Sequence, residues 1–349
     1  MKVCGNCFND LEIRNFIESN SKESSNCSYC DNPESKVIDL EELLDFFSEF
    51  IDIFIPDDEL GQPILELINQ DWEIFNPTTS SSSLLNDILN SIGSNIKNDT
   101  ERVLYIEDIN ECVDYWEILK DDLKWRRRFL LDIDTIFGLG WDTFFDSIKE
   151  FSKDKILYRA RIHKNENQYP YPLIEMGSPD KQYATNGRAN PEGIPYLYLS
   201  ENYETTLYET RVTYLDEVSV GSFRLIKDEE VKLVDFTNYT SPFLNMGDIV
   251  ENAKSRLLQE KISIDLSRPI RRYDSHLEYL PTQFICEFIR YITGADGIVF
   301  DSSLHEGGIN YVVFTEEKFE CIAVDKYHVT SVNIEATHEK DFILDFSEF

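Results

Sequence analysis

The chain has 349 residues, 42% of them hydrophobic, and a net charge of -33 from 33 Lys+Arg against 66 Asp+Glu. The length suits two domains, and the hydrophobic fraction excludes wholesale disorder. The charge excludes a broadly basic nucleic-acid clamp, so any anionic ligand must be held by a few arginines placed locally.

The charge is unevenly spread. Residues 1–150 carry 33 acidic and 12 basic side chains, whereas residues 151–349 carry 33 and 21. All five histidines (His163, His276, His305, His328 and His338) follow residue 150, which excludes a Cys/His zinc finger or a histidine general base in the first part. Met1 is followed by no apolar stretch, and no run approaches the ~18 apolar residues of a membrane span. The chain therefore reads as soluble and cytoplasmic, with neither a membrane nor a nucleic-acid polymer among its partners.

Two pairs, Cys4-Gly-Asn-Cys7 and Cys27-Ser-Tyr-Cys30, open the sequence with 19 residues between them. Each Cys-x-x-Cys turns tightly and points two thiolates at one tetrahedral ion, so Cys4, Cys7, Cys27 and Cys30 read as a closed structural zinc site over residues 1–35. Unliganded thiols or a redox pair are the alternatives. A catalytic zinc is disfavoured, because four thiolates leave no open position.

Apolar spacing then predicts a helix over 38–54, a loop over 76–83, a helix from Leu84, and helices over 111–130 and 141–152. Residues 36–152 thus read as a mostly helical domain. Its basic run Lys124-Trp125-Arg126-Arg127-Arg128 reads as an internal salt-bridge face rather than a nucleic-acid contact.

From 153 to 349 strands and helices mix, which predicts an α+β domain. Lys155–Ile162 alternates, setting Leu157, Arg159 and Arg161 on one face of a strand. A long Pro/Gly/Asn/Tyr-rich loop fills 163–195, a length usual for functional or disordered segments. A strand at 196–199 leads to Ser200, predicted to cap a helix running to Val212. Strands over 218–226 and 231–236, helices over 248–262 and 281–293, and strands over 297–301, 309–315 and 319–325 follow. His163 and His305 read as loop histidines and Cys286 as a core residue. Phe342–Phe349 is an acidic-apolar tail, expected to dock on the body or on a partner.

Three features converge on chemistry. Arg159 and Arg161 share a strand face, Gly187-Arg188-Ala-Asn-Pro-Glu-Gly193 forms a glycine-punctuated loop, and Glu209 lies on the helix that follows Tyr198. Guanidinium forks and glycine loops suit phosphate, and tyrosine rings such as Tyr158 and Tyr198 offer flat faces to a base. A carboxylate beside such a patch suits cleavage of a ribosyl C–N bond, whose transition state is an oxocarbenium-like cation. On the residues alone these signals reach no further than a phosphate or nucleotide site.

The blocks Leu157-Tyr-Arg-Ala-Arg161, Gly187 through Leu199, Glu209-Thr-Arg211, Tyr279-Leu-Pro-Thr-Gln283, Asp296 through Ser303, and Gly307 through Phe314 resemble, in order, the RES domain. The resemblance spans roughly 155–316. It implies a mixed-sheet, ADP-ribosyltransferase-like fold and a toxin that consumes NAD+, paired with an antitoxin. It further implies that Arg159, Glu209 and Ser302 are the name-giving catalytic arginine, glutamate and serine, with Ser303 a one-residue alternative. Arg159 and Arg188 would bind the pyrophosphate and ribose. Tyr198 would lie at the nicotinamide ribose, and Ser302 would meet the nicotinamide end or the glutamate. Arg161, Arg211 and Gln283 would support them. Two chemistries share this residue set: hydrolysis of NAD+ to nicotinamide and ADP-ribose, or transfer of ADP-ribose to a protein or to phosphate. A zinc-anchored module that only binds a nucleotide is the non-enzymatic alternative. The first part is similar to the zinc-bearing helical extension found before some RES domains and grouped with HEPN-type helical domains. Lacking histidine, it cannot carry an Arg-x4–6-His nuclease motif. Such an extension favours a regulatory, sensing or dimerising role, so the implied partners are NAD+, an antitoxin or regulatory protein, and a second copy of the chain.

Overall fold

The computed structural model describes residues 1–333 except 31, 146–147, 166–167, 239–240, 245–246 and 270–274. His338 and the acidic-apolar tail lie outside the described residues.

The first part is built around the cysteines. Strand β1 (Lys2–Cys4) runs into a tight turn over Gly5–Cys7, and helix α1 (Leu11–Asn20) follows, its first turn capped by Asp10 accepting from the Ile13 amide at 3.0 Å. Strands β2 (Glu23–Ser25) and β3 (Ser35–Asp39) complete an antiparallel sheet in the order β1-β3-β2. The helix expected over 38–54 is therefore shorter: Ile38 and Asp39 pair with β1, Asp39 begins a capping box, and α2 spans Leu44–Ile51. Strand propensity at Val37-Ile38 wins because β1 offers it a ladder partner. Next come β4 (Phe54–Pro56), β5 (Gln62–Pro63), α3 (Ile64–Trp72), α4 (Ser81–Ile92) and β6 (Arg102–Tyr105), with the order β4-β6-β5.

Helix α5 (Glu107–Asp121) continues through a wide turn to Arg126, and α6 (Ile133–Gly138) follows. The helix expected over 141–152 does not form. A short turn at Trp141–Thr143 is succeeded by β7 (Ile148–Glu150), which adds to the edge of the main sheet through antiparallel pairing with Lys232–Val234. Three residues have no strand identity of their own; the open edge of the sheet decides it.

The main sheet draws on β8 (Leu157–Ile162), β9 (Leu197–Ser200), β10 (Glu217–Leu225), β11 (Lys232–Asp235), β12 (Gly297–Asp301), β13 (Ile309–Val313) and β14 (Phe319–His328). Among the described residues its order is β14-β10-β8-β9-β13-β12-β11-β7, antiparallel except for β11 with β12. Helix α7 (Tyr203–Glu209) follows β9, α8 (Ile249–Ser267) follows β11, and α9 (Ser275–Glu278) and α10 (Leu280–Thr293) precede β12. The protein is α+β, as expected.

Two cores meet on α8. Its Ala253 and Leu257 join the first core, which contains Cys4, Cys7, Phe8, Phe47 and Phe75. Its Leu258, Ile262 and Leu266 join a second core made of Trp116 and Leu119 of α5, Trp141, Phe145, Ile285 and Cys286 of α10, Ile298 and Val312. One face of the main sheet is thus covered partly by residues 112–145. The basic run at 124–128 is paired: Lys124 meets Glu278 at 2.8 Å, while Arg126 and Arg127 meet the buried Asp122. No helix among the described residues is long and apolar enough to cross a membrane.

Candidate active site

Strands β8 and β9 pair only at Tyr158–Ser200 among the described residues. The cleft opens along this seam, with a volume of about 500 Å³, and both strands line it: Tyr158, Arg159 and Ala160 from β8, Tyr198, Leu199 and Ser200 from β9. Glu209, Arg188, Arg211 and Asn310 complete its polar wall.

Glu209 is the last residue of α7, whose cap is Asn202, not Ser200 as the sequence suggested. The Asn202 side chain accepts from the Thr205 amide at 2.8 Å. Ser200 is unavailable as a cap because β9 places it opposite Asn310 on β13, where its hydroxyl donates to Asn310 Oδ1 at 2.8 Å. Asn310 Nδ2 in turn donates to Glu209 Oε1 at 2.7 Å, and the Ser302 hydroxyl donates to the same oxygen at 2.7 Å. Ser302 Oγ is itself held by the amides of Leu304 and His305, each at 3.2 Å. The glutamate is thus fixed by two donors on one oxygen. Asn310 was not singled out by sequence reasoning, although it sits inside the last matched block; the β9–β13 register is what brings it to Glu209. Ser303, one residue on, lines the cleft, whereas Ser302 acts behind it on Glu209.

Arg159 sits in the wall with its Nη1 buried and without a hydrogen-bond partner. Burial, with Arg161 beside it, pulls its guanidinium down to about 10, so it stays cationic at neutral pH. A buried guanidinium nitrogen left without an acceptor is unfavourable, and an incoming anion would satisfy it. Burial also lowers Arg188 from its ordinary value. Its Nη1 donates to the Asp265 carbonyl at 3.0 Å, and its guanidinium lies 6.0 Å from the centre of the Tyr279 ring. Arg211 lines the cleft with a left-handed backbone, φ 52°.

Three residues of the expected set work on loops instead. Arg161 does not line the cleft; its Nη2 donates to the Gly177 carbonyl at 2.8 Å and so fastens the long loop 163–195. Gln283 donates to the Gly187 carbonyl at 2.8 Å and the Asn190 carbonyl at 3.0 Å. Tyr198 receives the Ala189 amide at 3.0 Å and donates to Asn190 Oδ1 at 2.7 Å, which leaves its ring, not its hydroxyl, for the cleft. Together with Thr282, whose hydroxyl donates to the Arg188 carbonyl at 2.6 Å, they clamp the Gly187–Asn190 loop. A Cβ at Gly187 would fall onto Asn190 Oδ1 and the Tyr198 hydroxyl. Gly187→Ala is therefore expected to push the loop and Arg188 outward, weakening ligand binding at least tenfold, as isothermal titration would show; unchanged affinity would remove this loop from the site.

Away from the cleft, His163 is buried against Ser219, its Nε2 2.8 Å from the hydroxyl, and stacks on Tyr171, a structural position.

The four cysteines form the second candidate centre. Their sulfurs lie within 4.8 Å of one another, with Cys4 to Cys30 at 3.4 Å and Cys7 to Cys27 at 3.5 Å. A Zn–S bond of about 2.3 Å in a tetrahedron sets sulfurs about 3.8 Å apart, so the set fits such an ion. The Tyr29 amide points at Cys27 Sγ from 3.5 Å, as a thiolate-holding knuckle requires. Among the described residues this is the one cluster of its kind.

Comparison with known proteins bears on the second half. The family model of the RES domain matches residues 156–335. The chain belongs to the RES domain family. The RES match contains the whole β8–β9 cleft and leaves residues 1–155 outside it. Among solved structures, the chain is similar to one in the crystal structure of the M. tuberculosis MbcT–MbcA toxin–antitoxin complex, at 13% identity over 54% of this chain and 92% of that chain, with a TM-score of 0.32. No curated protein matches the sequence.

Proposed function

We propose that this RES protein is a toxin-type enzyme that cleaves the bond between nicotinamide and ribose in NAD+ and transfers the ADP-ribosyl group to water. The observation that carries this reading is the Arg159 guanidinium, whose Nη1 is buried without a hydrogen-bond partner, in the same cleft as a glutamate whose carboxylate is held by two donors. The cation calls for an anionic ligand, and the carboxylate calls for positive charge developing nearby.

On this reading Arg159 and Arg188 take the pyrophosphate, with the Tyr198 ring beside the ribose. Glu209 stabilises the oxocarbenium-like ribosyl cation as nicotinamide leaves, and orients the water that attacks. Ser302 and Asn310 hold its Oε1 and so fix the orientation of the carboxylate. Gln283 and Arg161 position loops. Zn2+ bound by Cys4, Cys7, Cys27 and Cys30 would hold the first core together and supply no catalysis. RES toxins imply an antitoxin partner; here the residues before 156 are the chain's own candidate for a regulatory or dimerising part.

Adenylate-labelled NAD+ tests the reaction. Release of nicotinamide with free labelled ADP-ribose is the expected outcome. Label retained on protein would replace hydrolysis by ADP-ribosyl transfer, and measurable NAD+ binding without turnover would replace catalysis by a binding role.

A further inference from the structure

Residues well before the RES match are joined to the cleft wall through a relay of contacts. The route runs through the C-terminus of α8. The carbonyl of Asp265 lies in the last turn, where helix carbonyls have no partner of their own, and its i+4 residue is Pro269, which has no N–H to offer. Arg188 fills that vacancy by donating to it at 3.0 Å. A cation is favoured there, because the helix dipole leaves partial negative charge at that end.

The side chain of the same aspartate is gripped from the first part of the chain. Trp116 Nε1 donates to Asp265 Oδ2 at 2.7 Å, and Lys120 Nζ to the same oxygen at 2.8 Å. Trp116 is fully buried, and both partners of the Lys120–Asp265 pair are largely shielded from water, so these contacts are not the weak exposed kind. One helical turn further, Lys124 Nζ pairs with Glu278 Oε2 at 2.8 Å, and Glu278 immediately precedes Tyr279, the ring beside the Arg188 guanidinium. Arg188 is therefore held from two sides by contacts whose outer members, Trp116, Lys120 and Lys124, lie outside the family match at 156–335.

We propose that Trp116 and Lys120 are positioning residues for Arg188. By pinning Asp265 they set the last turn of α8, and so the point in the cleft at which Arg188 presents its guanidinium. The extension thereby acts on the ligand-binding wall through α8, and a shift of α5 is passed on to Arg188. This proposal rests on Arg188 binding the NAD+ pyrophosphate.

The test is the full-length double variant Trp116→Phe/Lys120→Met, which keeps an aromatic ring and an aliphatic stem while removing both donors to Asp265. Each single variant leaves one donor and is expected to act weakly. The pair should raise KM for NAD+ about five- to twentyfold with kcat changed less than twofold. In an Arg188→Lys background the same pair should have little further effect, because coupled residues are not additive. Trp116→Phe/Lys120→Arg, which keeps one donor to Asp265, should hold most of the affinity that Trp116→Phe/Lys120→Met loses. A merely structural role would act equally in both backgrounds, whatever the change in Tm. The side-chain resonance of Arg188, read by selective 15N-arginine NMR without NAD+ and assigned by its loss in Arg188→Lys, should shift and lose exchange protection in the double variant. An unmoved Arg188 resonance, or an effect of the pair independent of Arg188, overturns the proposal. If wild type fails to cleave or bind NAD+, the functional reading falls by itself, and the NMR result still decides the brace.

Discussion

Glu209→Gln is expected to reduce nicotinamide release roughly 100- to 1000-fold while leaving NAD+ affinity within about threefold. The substitution keeps the length and shape of the side chain. Its amide oxygen can still receive Ser302 and Asn310, which now meet Glu209 Oε1 at 2.7 Å each. What disappears is the negative charge, which in the proposed reaction matters only as the ribosyl cation develops. A preorganised electrostatic contact of this kind is worth about 3–4 kcal/mol of barrier. The loss should therefore fall on kcat rather than KM, since an interaction realised only in the transition state is removed. Glu209→Ala is the less clean probe, because it strands the Ser302 hydroxyl and the Asn310 amide. Chromatography of NAD+ products, alongside calorimetric titration, reads both quantities. Turnover within tenfold of wild type in Glu209→Gln would exclude the glutamate as the group that stabilises the cation.

The second large effect is expected at the other end of the chain. Protein purified without chelator should carry about one zinc per chain, and removing it should unfold the first core. Cys4 and Cys7 are buried within that core among Val3, Phe8, Ile13 and Ile17. Without an ion nothing joins the four sulfurs, which lie within 4.8 Å of one another, so the knuckles lose their reason to converge. Zinc binding to small domains is worth on the order of 10 kcal/mol, comparable with the whole stability of an ordinary domain. The second core has its own apolar contacts and should persist. Tryptophans report the difference: Trp72 belongs to the first core, Trp116 and Trp141 to the second. Chelation should red-shift the emission of Trp72 and leave the two others protected, as single-tryptophan variants would show. Metal-free protein with an unchanged melting curve would mean that the cysteines are thiols and not ligands.

Much of the site is legible in the amino-acid sequence alone. The Cys-x-x-Cys pairs, the alternation at Leu157–Ile162, and the ordered blocks holding Arg159, Arg188, Glu209 and Ser302 are local patterns, and local patterns survive in a linear reading. Strands 297–301 and 309–313 are equally plain, since both are near-continuous apolar runs. Linear reading fails where a distant partner decides. Val37-Ile38 and Ile148-Lys149-Glu150 are strands because another strand stands beside them. Ser200 loses its capping role to Asn202 because cross-strand pairing commits its hydroxyl to Asn310.

The sequence by itself determined the four-cysteine set, the family, and which charged residues were available for chemistry. Those depend on residue type and spacing along the chain. Only the tertiary structure decided how those residues are employed. Arg161 and Gln283 turn to backbone carbonyls of loops, Asn310 joins Glu209, and Arg188 caps a helix end steadied by Trp116 and Lys120. The reason is that a polar side chain takes the nearest unsatisfied partner inside the fold. Which partner is nearest depends on strand register and helix packing between residues far apart in the chain, 149 positions in the case of Trp116 and Asp265.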